Sequence, residues 1–206
     1  MSDIIFQIGL PEQFRADAAK LYDEAFGQKL SVAVRSNKKR ISLVQKGFIP
    51  EYAIVVLSDN TLLGIAGFHT SSGSLTGGIS YKDLLSELGF LKRNWAAIIF
   101  SLYDRKPKAG ELLMDGIAVH ADSRGKGVGS KLLEKVAKYA QHNKFKNVRL
   151  DVIDINPEAK KLYERMGFKA VKTERFPYLR WLLGFSGSTT MLLSVAENTE
   201  QHINQV

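Results

Sequence analysis

No cysteine occurs anywhere in the 206 residues. That absence excludes disulfides, thiolate-held metals, iron–sulfur clusters and any route that parks a group covalently on a cysteine. Apolar residues make up 45% of the chain, yet no unbroken run approaches the roughly 20 residues needed to cross a bilayer. The opening Met1-Ser2-Asp3 places an acid where a secretory signal has basic residues, so a cytoplasmic location is expected. Proline is scarce at 5 residues and no internal repeat is visible, which leaves an ordinary folded domain. Acid is also in short supply. The 21 Asp and Glu are outnumbered by 29 Lys and Arg, giving a net charge of +8 and an anionic partner of some kind. At this level nucleic acid, an anionic membrane and a phosphorylated small molecule fit equally well.

The chain reads as one domain over 1–196 with a polar tail over 197–206. A β-branched run at 4–8 precedes a helix from Pro11 to Phe26 that Gly27 is expected to stop, and a second helix is expected over 31–44. Runs at 52–57 and 62–68, separated by Ser58-Asp59-Asn60-Thr61, predict a hairpin. A small-residue loop then leads into an inserted helical segment at about 79–104. A strand over 112–119 carries one acid, Asp115. Residues 125–142 read as a helix, with Leu132, Leu133 and Val136 on one face and Lys131, Lys135 and Lys138 on the other. A strand at 148–153, a helix opening at Asn156-Pro157 and two closing strands complete the order.

The most informative segment is Arg124-Gly125-Lys126-Gly127-Val128-Gly129-Ser130. Glycines at alternate positions let backbone N–H groups converge, and the helix that follows adds unpaired donors and a positive dipole end, which suits phosphate. A P-loop does not fit, because Gly129 is followed by Ser130 and Lys131 in the wrong order. A dinucleotide fingerprint would need glycine where Ser130 stands, although Asp151 at the end of the next strand favours it.

The spacing of Arg124, Gly127 and Gly129 resembles the pyrophosphate loop of the GNAT superfamily of N-acetyltransferases. Asn156-Pro-Glu-Ala-Lys-Lys-Leu-Tyr-Glu-Arg-Met-Gly-Phe168, one helix and one strand later, is similar to the second half of that family's signature. The resemblance covers 111–171. It implies an α/β (α+β) fold built on a mostly antiparallel mixed sheet, with one splayed parallel strand pair and flanking helices. It also implies that acetyl-coenzyme A (acetyl-CoA) is the cosubstrate, with no metal.

By the resemblance, the pantetheine arm pairs with the strand edge at Ile117, Ala118 and Val119. The pyrophosphate then lies on the N–H groups of Gly125, Lys126, Gly127, Val128, Gly129 and Ser130, with the charges of Arg124 and Lys126 nearby. Asn156 is placed to cap the last helix and, in the family, also reaches the pantetheine. Tyr163 lies on the apolar face of that helix, where it can be a core residue; the resemblance makes its hydroxyl the acid that protonates the departing thiolate. Asp115 is the candidate base for a substrate ammonium, or else a carboxylate satisfied by backbone at a bulge beside Gly116. Alternation puts it on the face of Leu113 and Ile117. Glu111 is a second candidate, His120 reads as structural, and Asp151 and Asp154 could steer a cationic substrate.

The expected reaction is acetyl transfer to a primary amine of a small molecule or protein by direct attack in a ternary complex, since no acetyl-cysteine can form. The alternative is a non-catalytic coenzyme A-binding regulatory or interaction module. Eight basic residues and one acid fall between Arg124 and Arg149, which puts most of the surplus charge on the phosphate loop and its helix. With no aromatic–basic interleaving, neither nucleic acid nor a membrane is the expected partner. The chain is expected as a monomer or homodimer. The segments over 73–103 and 176–185 could cover the acceptor or form plain core.

Overall fold

A computed structural model of the chain describes residues 4–103 and 105–195, so the expected tail at 197–206 lies outside the described residues. Strand β1 (Ile4–Ile8) leads through a short 3-10 turn into helix α1 (Arg15–Leu30), and α2 (Asn37–Gly47) follows. The hairpin β2 (Ala53–Ser58) and β3 (Thr61–Thr70) turns through Asp59 and Asn60, whose φ values of 44° and 60° suit a type I′ connection. After the two-residue β4 (Gly73–Ser74) comes the inserted helix α3 (Tyr81–Tyr103), broken at Gly89 by φ 74° and ψ 178°. The rest is β5 (Glu111–Val119), α4 (Val128–His142), β6 (Asn147–Ile153), α5 (Pro157–Arg165), β7 (Lys169–Arg175), the single turn α6 (Arg180–Leu183) and β8 (Gly187–Ser194).

The strands form one sheet in the order β1-β2-β3-β5-β6-β8-β7, with β4 paired to β3. Only β5 and β6 run parallel, and their pairing is confined to Glu111–Asn147, Leu112–Val148 and Leu113–Arg149. Beyond Leu113 the two strands part. This is the splayed pair that the sequence resemblance implies.

Apolar stripes on the helices close both faces of the sheet. On one face Leu132, Leu133 and Val136 of α4 pack on Val56, Phe68, Leu112 and Leu150, with Leu162, Tyr163 and Met166 of α5 against the edge of that cluster. On the other, Phe14 of the 3-10 turn and Ala18 and Tyr22 of α1 pack on Val55, Ile65 and Ala118. A third cluster joins α2 to α3 through Leu43, Leu84, Ala96 and Ile99.

Three expected boundaries move. Helix α1 does not stop at Gly27 but continues to Leu30. A Cβ at residue 27 would sit 2.9 Å from Asp23 Oδ1, so this glycine makes room for a buried carboxylate. Asp23 in turn holds Arg40 at 2.7 Å, both side chains at least nine-tenths buried, while Arg40 Nη1 donates to the carbonyls of Val34 and Arg35. Arg40, which interrupts the apolar pattern of α2, therefore points inward. Helix α2 begins at Asn37 and not at 31, because Ser31 still belongs to the end of α1 and Ser36 Oγ accepts from Lys39 N. Helix α4 begins at Val128 and not at 125, since Gly125 and Gly127 take positive φ angles.

The expected alternation along β5 also breaks. Gly67 faces Gly116 and Phe68 faces Met114, which leaves Asp115 as an extra residue in the ladder. A β-bulge of this kind puts two successive residues on one side of the sheet. Asp115 consequently shares the α1 face with Leu113, whereas Ile117 packs with the α4 cluster. Gly116 lies on the α1 side too, where an added Cβ would come within 2.3 Å of Phe26 Cζ. Gly116→Ala is expected to destabilise the fold by about 1–3 kcal/mol through overpacking, read as a lowered thermal midpoint. An unchanged midpoint would mean that Phe26 yields freely.

Candidate active site

The site is built where β5 and β6 separate. Pairing with β3 fixes which way the backbone of β5 points. His120 N donates to Leu63 O at 2.8 Å, and Ala118 O lies 3.0 Å from the ideal Cβ position of Gly64, so both groups face β3. By alternation the backbone groups of Ile117 and Val119 face the opening. One of them is engaged: Val119 O accepts from Arg124 Nε at 3.1 Å. That bond ties the glycine loop to the end of β5, and Arg124 itself is exposed.

Within the loop, Gly125 and Gly127 have φ of 73° and 79°, and nothing lies within 4 Å of where their Cβ atoms would be. Both are exposed, as are Arg124 and Lys126. Val128 is buried and anchors the first turn of α4, while Gly129 and Ser130 are half-buried. The ladder of α4 begins with Lys131 N on Gly127 O, so the preceding amides stand at the open end of the helix. Gly129 lets α4 pass Leu162 of α5 and Val119, whose side chains are 3.5 and 3.8 Å from its ideal Cβ.

Helix α5 follows the loop side of the opening. Asn156 Oδ1 accepts from Ala159 N at 3.2 Å, which is the N-cap that the sequence places there and leaves the amide nitrogen available to donate. The ring of Tyr163 packs against Phe168 at 5.9 Å, and burial pushes its phenol up to about 12. It keeps its proton at any ordinary pH.

On the α1 side of the same opening lies a cleft of about 870 Å³. Asp115 lines it, together with Tyr22, Lys29, His69, Asp151 and Tyr178. Burial raises the carboxyl of Asp115 above the usual range; His69, the backbone N–H groups of Thr76 and Leu75, and Lys29 oppose that rise. Its Oδ2 is buried with no hydrogen-bond partner among the described residues. Asp115 thus stands on the bulge beside Gly116 and receives backbone donors, as one of its two expected descriptions has it, and it still presents one bare oxygen. Burial lowers Lys29, and Arg105 lowers it further, while Asp151 and Asp115 pull the other way. Tyr22 is raised by burial and then by the Asp115 charge.

Some candidates fall outside this arrangement. Glu111 is buried at the closed end of the strand pair, bonded to Arg149 at 3.0 Å and to Lys108 N at 3.1 Å, so it braces the splay and is withdrawn as a base. Asp154 accepts from Ser186 N and fixes the start of β8, which removes it from substrate steering; Asp151 stays in the cleft, accepting from Thr190 Oγ1. His120 is exposed, 3.6 Å from Asp122. Tyr22, Lys29 and His69 were not singled out in the sequence, and only one signal could have marked any of them: Lys29 continues an apolar helical stripe. Both ambiguous segments line the cleft, through Ala97 and Phe100 of α3 and through Phe176, Tyr178 and Phe185.

Comparison with known proteins fits this geometry. Over 60 residues the chain is 37% identical to the thialysine N-epsilon-acetyltransferase of Bos taurus, covering 29% of this chain and 35% of that protein. Over 72 residues it is 32% identical to the spermine/spermidine N(1)-acetyltransferase of Bacillus subtilis, covering 34% and 47%. The matched stretch thus spans less than half the length of either relative. In three dimensions the chain is similar to yncA of Salmonella typhimurium, a structure that includes its cofactor acetyl-CoA, with a TM-score of 0.58 at 14% identity over 95% of this chain and 96% of that one. A likeness at that identity speaks for the fold. The sequence model of the Acetyltransferase (GNAT) family matches residues 19–168, most of the described chain. The chain belongs to the GNAT acetyltransferase family.

Proposed function

We propose that this protein transfers the acetyl group of acetyl-CoA to a primary amine, with the thioester held along the open edge of β5 and the amine presented from the cleft on the α1 side. One observation carries the proposal. The parted strands lie between a loop of open, positive-φ glycines and a buried carboxylate with a bare oxygen. Converging amides and the room left by Gly125 and Gly127 suit a pyrophosphate, and Lys126 with Arg124 supplies positive charge. The outward backbone of Ile117 and Val119, next to Ala118, offers the pantetheine an edge to pair with, and Asn156 can donate to it. Relatives named for acting on thialysine and spermine support an amine acceptor.

Asp115 takes the proton that the ammonium must lose before its lone pair can attack. The nitrogen–carbon bond forms as the carbon–sulfur bond breaks, with a backbone N–H on the β5 edge donating to the thioester oxygen as charge develops there. Tyr163 passes its proton to the departing sulfur, and the second proton that the nitrogen sheds as the amide forms leaves to solvent, from which Tyr163 is reprotonated. The protein takes up no group covalently, so both substrates are bound together during transfer.

Tyr163→Phe tests the acid. The ring contact with Phe168 persists, and only the hydroxyl is lost. The expected result is a fall in kcat of about a hundredfold, with acetyl-CoA affinity measured by calorimetry unchanged. Full kcat in that variant would remove Tyr163 from the reaction.

A further inference from the structure

The walls of the acceptor cleft do not resemble a site for a small polar amine. Helices α2 and α3 turn Leu43, Leu84 and Phe100 into it, and the connection between β7 and β8 adds Leu179 and Phe185. Leu43 and Leu84 are 1% and 5% exposed, so this lining is continuous with the core between the helices. Most of the charged groups along the cleft face a partner, and Arg175 lines it as well. Arg40 is tied to Asp23, Arg105 lies 3.7 Å from Glu174, and Lys29 stands in the field of Asp151 and Asp115. The bare oxygen of Asp115 marks one end, where the strands part.

Helix α3 is a pinned wall and not a loose flap. Glu87 accepts from Ser42 Oγ at 2.7 Å and from Lys46 Nζ at 2.6 Å, and Trp95 Nε1 donates to Val32 O at 2.9 Å. The cavity of about 870 Å³ is near the upper end of pockets that enclose a whole drug-sized molecule, roughly 300–1,000 Å³. A polyamine here would bring further ammonium groups past Phe100 and the other apolar walls, where the remaining carboxylates of the lining, Asp151 and Glu174, already face the cations Lys29 and Arg105.

We infer that the acceptor is a primary amine carried on an extended apolar group, its nitrogen at Asp115 and its apolar part against α2, α3 and the β7–β8 connection. The inference rests on the acetyl-transfer reading and names the substrate class for it. Butylamine, hexylamine and octylamine are the probes, with phenethylamine as an aromatic arm and spermidine as the polar one. The kcat/KM for thiol release is expected to rise about two- to fourfold per added methylene, with spermidine well below octylamine. The preference of phenethylamine or octylamine over butylamine then distinguishes an aromatic from an aliphatic group.

Two variants, Ala97→Phe on α3 and Leu179→Gln on the opposite wall, are expected to flatten the series without altering acetyl-CoA affinity. Calorimetry of octylamine and butylamine, with and without coenzyme A, reads the same preference independently of turnover. Tighter octylamine binding supports the inference. Equal binding of the two amines, or spermidine as the best acceptor, overturns it and leaves acetyl transfer standing. Failure of acetyl-CoA to bind contradicts the activity reading instead, and the amine titration still decides the character of the cleft.

Discussion

Asp115→Asn is expected to lower kcat by about 10²- to 10⁴-fold while acetyl-CoA still binds normally. The substitution keeps shape and volume and removes only the ability to accept a proton. The wild-type rate should fall on the acid side as Asp115 becomes protonated. Because burial raises its carboxyl, that limb should lie above the pH of an exposed carboxylate. The same shift has a stability sign. A group whose folded pKa is raised above its unfolded value stabilises the fold at low pH, and that contribution is lost as pH rises through the raised value. At neutral and alkaline pH the native state therefore carries a poorly solvated charge, which asparagine removes. The variant should be nearly inactive and yet melt at the same or a higher temperature than wild type at pH 8, the difference closing in acid. A variant that is both active and less stable would mean that Asp115 is a structural carboxylate.

Gly127→Glu is expected to weaken acetyl-CoA binding by a hundredfold or more, about 2.7 kcal/mol at the least. Two effects add. A side chain at φ 79° is strained, and a carboxylate would project into open space where the phosphates are proposed to lie. The loop is exposed and packs on nothing at that position, so far-ultraviolet circular dichroism should stay native. Lys126→Ala should show a smaller loss that shrinks as salt is raised. Unchanged affinity in the Gly127→Glu variant would place the phosphates elsewhere.

The parts of the site that were legible in the sequence are those encoded within a few residues of one another. Arg124, Gly127 and Gly129 lie on one loop, and the cap at Asn156 is a local hydrogen bond to Ala159. Asp115 stood out because an acid in an apolar strand needs a reason. Its facing was misread because the bulge is set by cross-strand register with Gly67 and Phe68, nearly fifty residues earlier in the chain. Long-range partners explain the other differences. Gly27 has the local signature of a helix stop but instead makes space for Asp23, which is buried because Arg40 reaches it from another helix. Glu111 has no local mark of its partner, Arg149, which reaches it across the parallel pair. Tyr22, Lys29 and His69 come from α1 and β3 and meet Asp115 only in the folded chain. The mixed sheet and the parting of β5 from β6 are what the resemblance carried by the glycine loop and the Asn156–Phe168 segment implies, whereas the strand order is set by long-range pairing that no local signal encodes.

The measurement closest to the centre of the account follows both products at once, free thiol by chromogenic trapping and acetylated amine by mass spectrometry, in a mixture of protein, acetyl-CoA and octylamine. The account predicts equal amounts of the two, dependent on amine and enzyme, with intersecting initial-velocity lines as each substrate is varied. Tight acetyl-CoA binding with no amine-dependent thiol or acetylated product, from any acceptor offered, would contradict it and identify a binding module without turnover.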